Sequence, residues 1–183
     1  CCTQNGVRGG SATVHFPIWH QEIEDILVLK NNKGTEDNRV RKLDYSIQVS
    51  KLFYERFIKD EEITLFSPHE VPGLYEAFGM PEFDEMYEKY ERKTSIDKKK
   101  VRAQTLFMDL LKERAETGRI YIMNIDHCNT HSSFKDKVYM SNLCQEITLP
   151  TKPVQHIDDP EGEIALCILS AINLGMIRDK EDL

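Results

Sequence analysis

Long apolar stretches are absent: no run approaches the roughly 18 residues that a membrane-spanning helix requires, and no secretory leader is visible. Paired cysteines are missing as well. Five cysteines, an odd number with no regular spacing and no CxxC, exclude a disulfide-stapled secreted scaffold and point to free thiols in a reducing cytoplasm. Positive charge is in deficit. The 24 Lys and Arg face 31 Asp and Glu, a formal net charge of −7, which argues against a broad nucleic-acid surface. The basic spots Arg39-Val40-Arg41-Lys42 and Lys98-Lys99-Lys100 read as solvated charge. Internal repeats, low-complexity segments and linkers rich in Pro, Gly or Ser are also lacking, so residues 1–183 read as a single partial domain with no internal boundary.

What is present is a core's worth of apolar residues, 40% of the chain, in alternating α and β periods. Ala12, Val14 and Phe16 alternate as in a strand; Pro17 suits a first helical turn, with Trp19, Ile23, Ile26 and Leu27 as its apolar stripe. After a polar loop from Asn31 to Asn38, residues 43–50 alternate strictly and predict a half-buried strand. A helix over 51–59, a strand over 63–66 and a turn-rich passage over 67–73 follow. Phe83, Met86, Tyr87 and Tyr90 mark one helix; Ala103, Leu106, Phe107, Leu110 and Leu111 mark a second, which Gly118 is placed to end. Residues 119–125 read as a buried strand, giving a mixed α/β order.

The most informative stretch is Ser141-Asn142-Leu143-Cys144-Gln145-Glu146-Ile147. Extended, it would carry Asn142, Cys144 and Glu146 on one face at intervals of about 7 Å. An amide, a thiol and a carboxylate so grouped fit either a half-buried strand with its polar side in water or a reactive face. The nearly unbroken apolar run Glu163 to Leu169, with Cys167 inside, reads as a second strand covered on both faces. If the two strands neighbour each other, two thiols and a carboxylate converge in an apolar interior, where charge needs a reason.

Those residues resemble the active-site segment of the large (α) subunit of class I ribonucleotide reductase, as do Leu149-Pro150-Thr151-Lys152-Pro153 and Gly162 to Cys167. Cys2-Thr3-Gln4-Asn5-Gly6-Val7-Arg8-Gly9-Gly10 is similar to that family's specificity loop. Leu29 to Gly34, Leu65 to His69 and Asp126 to His131 look like further signatures, so the resemblance spans essentially the whole chain and is closest to aerobic bacterial and tailed-phage enzymes. It implies part of a ten-stranded α/β barrel with the active-site cysteine on a finger loop, and reduction of ribonucleoside diphosphates to deoxyribonucleoside diphosphates by a thiyl-radical mechanism. By the resemblance, Cys144 is the radical site, Glu146 takes the 3′-hydroxyl proton and Asn142 binds substrate; Cys167 is half of a redox-active disulfide whose partner lies upstream. Gln4 and Arg8 match the side chains that reach the effector-dependent base, and Gly6, Gly9 and Gly10 allow the loop to change shape. Asn5 stands where the family has glycine.

The implied partners are a ribonucleoside diphosphate, a dNTP or ATP effector, a metal-containing small (β) subunit that supplies the radical, a second large subunit, the remaining pieces of the same subunit, and thioredoxin or glutaredoxin. Mg²⁺ enters only with nucleotides, and no cofactor, membrane or direct nucleic-acid contact is expected of this stretch. The start at Cys1 without Met suggests a piece of a larger subunit: the part after an intein insertion or gene break, or an arbitrary truncation. Upstream strands, the ATP-binding region, a tyrosine pair and terminal cysteines are not in it, so the isolated piece is expected to be inactive and prone to association. Three other readings stand beside this one. The chain could be a catalytically silent module for assembly or effector binding. It could belong to an adenosylcobalamin-dependent relative. Asp126-His127-Cys128-Asn129-Thr130-His131 could hold a metal, although it lacks a second ligand pair and reads better as a hydrogen-bonded turn.

Overall fold

An antiparallel hairpin begins the structure, a computed structural model describing residues 3–31, 33, 35, 37, 39, 40 and 42–180. It pairs β1 (Thr3–Gln4) with β2 (Arg8–Gly9), Thr3 opposite Gly9 and Gln4 opposite Arg8. Its turn holds Asn5 at φ 50° and Gly6 at φ 71°. Asn is among the few side chains that enter this left-handed region readily, so Asn5 holds this turn position without glycine. Cys1, on which the intein reading rests, Cys2 and the Gln4 side chain lie outside the described residues.

The chain divides into two units, Cys1–Pro150 and Thr151–Leu183. In the first, β3 (Thr13–Pro17), β4 (Asp44–Val49) and β7 (Ile120–Asn124) form a parallel sheet in the order β3-β4-β7. Parallel neighbours require crossovers. Helix α1 (Ile23–Leu27) lies in the first; α2 (Lys51–Ile58) and α5 (Ala103–Thr117) lie in the second. Paired residues share a face: Val14, Tyr45 and Ile120 in one row, Phe16, Ile47 and Ile122 in the next. That apolar face packs on Ile23, Leu27, Phe53, Leu106 and Leu110 to form one core. Fully burying each such side chain stabilises the fold by about 1.5–3 kcal/mol.

The second crossover also carries β5 (Glu62–Phe66), α3 (Leu74–Ala77), α4 (Phe83–Arg92) and β6 (Lys98–Arg102), and α6 (Ile125–Thr130) follows β7. Trp19, Phe66, Leu74, Phe78, Phe83 and Tyr87 build a second core. Between them Tyr87 exchanges hydrogen bonds with the backbone of Thr64, donating to its carbonyl (2.7 Å) and accepting from its N–H (2.8 Å). Arg56 makes a fork to both oxygens of Glu91 (2.7 and 2.6 Å), which also accepts from the Thr64 hydroxyl (2.6 Å).

Several elements differ from the sequence reading. Pro17 closes β3 instead of opening a helix; β3 has a neighbour on only one side among the described strands, an edge position that tolerates a residue without N–H. The basic run Lys98-Lys99-Lys100 is not merely solvated charge: with Val101 and Arg102 it is β6, antiparallel to β5. Lys99, Lys100 and Arg102 pair with Glu24, Glu62 and Asp60, the usual charged dressing of an edge strand. Asp126 to His131 belongs to a short helix, not a turn.

Neither cysteine-bearing strand forms. Residues 141–147 make a turn over the sheet, because the Asn142 side chain takes up the backbone N–H of Ile147 (3.0 Å) that an extended ladder would need. In the second unit the run 163–169 has only the isolated bridge between Lys152 and Glu163. Without neighbouring strands among the described residues, Ile164, Leu166, Ile168 and Leu169 are exposed. An Asp159 turn, accepting from the N–H groups of Gln155 and Glu161, and a 3₁₀ turn over Leu174–Met176 complete that unit. Among the described residues no helix is long and apolar enough to cross a membrane.

Candidate functional site

Strand β4 explains where the site sits. Its alternation suggested one solvated face, yet Ser46 and Gln48 are 0% and 1% exposed. They are covered by the chain leaving α6. Every second residue of that segment is held from the sheet's polar face. Gln48 Nε2 donates to the Tyr139 carbonyl (2.5 Å), His15 Nε2 to the Ser141 carbonyl (3.2 Å) and Thr13 Oγ1 to the Leu143 carbonyl (2.7 Å). The fourth contact is reversed: the Gln145 side-chain amide donates to Ser46 Oγ. The segment thus runs down β3 against the strand direction and returns to β4.

A carbonyl oxygen can only accept, so His15 carries its proton on Nε2. Burial holds the ring below the ordinary histidine range, opposed by the Ser141 hydrogen bond, so it is neutral at pH 7. Its Nδ1 is buried without a partner among the described residues.

Between Leu143 and Gln145 the loop reverses. Asn142 receives the Gln145 N–H on its carbonyl (3.3 Å) and both the Ser141 hydroxyl (3.2 Å) and the Ile147 N–H on Oδ1. The single Ser141 hydroxyl proton is shared between that Oδ1 and the Ile147 carbonyl, the nearer acceptor at 2.5 Å. Gln145 adopts φ 66°, a strained setting for a residue with a Cβ. The result retains one feature of the sequence reading: Leu143, Gln145 and Ile147 are half-buried, whereas Cys144 and Glu146 are exposed on the other side. The turn therefore uses Asn142, itself half-buried, as an internal acceptor and leaves Cys144 and Glu146 exposed two positions apart. A thiol and a carboxylate two positions apart on a pinned loop can exchange a hydrogen atom and a proton with one molecule laid across it.

Two residues that sequence reasoning passed over hold the approach to this loop. Asn129 of α6 clamps the backbone of Val138 in both directions, donating to its carbonyl (3.0 Å) and accepting its N–H (2.8 Å). Lys137 donates to the carbonyls of Tyr75 (3.0 Å) and Glu76 (2.6 Å) at the end of α3 and sits 4.4 Å from the Tyr139 ring centre. Burial pulls its ammonium down to about 8, with Glu76 and Glu82 opposing. Asparagine in a short polar helix is the only sequence signal for the clamp; Lys137 offers none.

Cys167 lies in the second unit and is exposed. Arg8, Gly6, Gly9 and Gly10 are exposed in and beside the N-terminal hairpin, and a Cβ at Gly6 or Gly9 would meet nothing within 4 Å. His127 and His131 stack edge-to-face at 5.3 Å, and burial raises the Cys128 thiol above its ordinary range. No cluster of three or more His, Cys, Asp or Glu suited to a metal occurs among the described residues.

Comparison with known proteins adds a family and relatives. The ribonucleotide reductase barrel domain matches residues 1–183. The chain is 61% identical to the ribonucleoside-diphosphate reductase subunit alpha of Haemophilus influenzae, over 97% of this chain and 24% of that protein. It is 58% identical to the ribonucleoside-diphosphate reductase 1 subunit alpha of Escherichia coli, over 84% and 21%. The subunit alpha of enterobacteria phage T4 is 48% identical, over 94% and 23%. The chain spans about a quarter of the length of these curated relatives.

Proposed function

Because the chain belongs to the ribonucleotide reductase barrel-domain family, we propose that it is the catalytic-core segment of a class I ribonucleoside-diphosphate reductase large subunit. Its substrate is a ribonucleoside diphosphate, reduced at the 2′ position. Cys144, as a thiyl radical, takes the 3′ hydrogen atom; Glu146 takes the 3′-hydroxyl proton; Asn142 hydrogen-bonds the substrate. Cys167 and an upstream cysteine supply the two reducing electrons and become a disulfide, which requires their Cα atoms to come within roughly 7 Å. Thioredoxin or glutaredoxin restores the thiols. A metal-containing small subunit supplies the radical to a dimer of large subunits, and Mg²⁺ accompanies the nucleotides. The hairpin carrying Gln4 and Arg8 links a dNTP effector to substrate choice, its glycines permitting the change of backbone. A cytoplasmic location follows from this chemistry and its thiol reductants.

The observation that carries this reading is the turn over residues 142–147: it exposes Cys144 and Glu146 on one side while the sheet holds the other. A thiyl radical must meet only its substrate, and a base must reach the proton it removes. Rigid presentation serves the second; the first requires that the exposed Cys144 be enclosed when substrate is bound. The test is Cys144→Ser in the full-length large subunit assembled with its small subunit. Turnover of ribonucleoside diphosphate should vanish while effector binding persists. Unchanged turnover would remove Cys144 from the mechanism and favour a silent assembly or effector-binding module.

A further inference from the structure

Four polar side chains on one face of the sheet, Thr13, His15, Ser46 and Gln48, contact residues 143, 141, 145 and 139 respectively. Three of these contacts grip backbone carbonyls, which any sequence would offer. The Ser46 contact alone is specific to a side chain, and it grips the residue directly after Cys144. Gln145 is also the loop's one left-handed residue with a Cβ, at φ 66°, so its backbone needs an external restraint to stay there. Ser46 provides that restraint from a fixed place: it is fully buried in the central strand, paired with His15 on one side and Tyr121 on the other.

From this geometry we infer that Ser46 is a positioning residue for the radical-site turn, acting through Gln145. By tying the Gln145 amide to the sheet it fixes residue 145 inward, and the residues on either side, Cys144 and Glu146, are turned outward together. The relative placement of thiol and carboxylate is then set by the strand rather than by the loop. The consequence for turnover rests on the reductase reading above; the consequence for the loop does not.

The test uses the full-length subunit carrying Ser46→Ala, and separately Gln145→Met, which preserves length, removes the donor and leaves the buried strand untouched. Hydrogen exchange is followed at the amides of Gln145 and Ile147, which the turn protects, and at β4. Both variants should speed exchange at those two amides about fivefold, the factor for losing one hydrogen bond of ordinary net strength, with β4 unchanged. In turnover, kcat should fall with KM unchanged, and the double variant should be no worse than either single one. Unchanged exchange at Gln145 and Ile147 in Gln145→Met would overturn the proposal, as would acceleration spread equally over β4. If Cys144→Ser abolishes turnover while Gln145→Met loosens the turn without lowering kcat, the positioning role fails and the reductase reading stands. If Cys144→Ser leaves turnover intact while the turn still loosens in both variants, the catalytic reading of Cys144 fails and Ser46 retains its hold on the loop.

Discussion

Gly79 offers a sharp test of how the helical layer supports the loop. It is buried between α3 and α4 at φ +84°, and a Cβ there would lie 2.7 Å from Ile125 Cγ1, 3.1 Å from Asn129 Nδ2 and 3.1 Å from the Ile125 carbonyl. Gly79→Ala therefore carries two costs. Left-handed backbone costs an L-residue roughly 1–2 kcal/mol. Pushing into Ile125 and Asn129, which are held by a core and by the Val138 clamp, costs about 1–3 kcal/mol. Reduced freedom of the unfolded chain returns about 0.4–1 kcal/mol, so the net loss is about 1–4.6 kcal/mol. Gly118→Ala is the control: at φ +65° it has the same strain, but nothing among the described residues lies within 4 Å of its Cβ. Its net cost should be no more than about 1.5 kcal/mol. Urea titrations of both variants, with equal slopes, isolate the packing cost as the difference between them. If Gly79→Ala proves no worse than Gly118→Ala, the close approach of α6 to this turn is wrong.

Tyr87→Phe removes both hydrogen bonds to Thr64 and strands a buried N–H, which should cost about 1–3 kcal/mol in denaturant titration. Glu91→Gln leaves the Arg56 guanidinium without its carboxylate in a pair whose side chains are 12% and 17% exposed, and should cost about 3 kcal/mol near neutral pH. Acid unfolding should expose the same pair. Burial pushes the Glu91 carboxyl up, but hydrogen bonds from Arg56 and Thr64 and the Arg56 charge outweigh it and hold it below its ordinary value of 4.5. The folded state thus binds fewer protons, so the stabilisation is complete above pH 4.5 and is lost as pH falls through the depressed folded value; Glu91→Gln should flatten that limb of the stability curve. Asn129→Ala should release the Val138 amide to faster hydrogen exchange while leaving β4 protected.

Local periodicity made most of the first unit readable. The stripe from Ala103 to Leu111 and the stop at Gly118 correspond to α5 and its left-handed cap, and the alternation from Leu43 to Ser50 corresponds to β4. What periodicity could not supply was the identity of the partner. Lys98 to Arg102 looks like solvent-facing charge until β5 is present to pair with it. Residues 141–147 look like a strand because alternation at short range is shared by a strand and by a loop anchored at every second residue. Only the positions of Thr13, His15, Ser46 and Gln48, 91 to 130 residues away along the chain, distinguish the two. The candidate residues were legible as types and spacing, whereas Lys137 and Ser46, which with Asn129 bond the segment from Lys137 to Gln145, are ordinary polar residues with no local signature.

The polar face of β4 also bears on what kind of interior this sheet lines. Alternation on a strand ordinarily marks water on its polar side. Here Ser46 and Gln48 are buried instead, and the polar side is occupied by a hydrogen-bonded loop. In a barrel whose helices cover the outside, the inward face must be filled by side chains or enclose something. Filling it with a segment that bonds the polar row through its odd-numbered residues leaves Cys144 and Glu146 exposed on the other side, Asn142 alone of the even-numbered candidates holding the turn. One alternation thereby does two things: burial of polar groups is offset by hydrogen bonds on one side of the loop, and Cys144 and Glu146 stay exposed on the other. A loop packed by apolar contacts alone could slide along the sheet; one registered by four polar contacts at two-residue intervals cannot shift by a single residue without exchanging its reactive side for its anchored one.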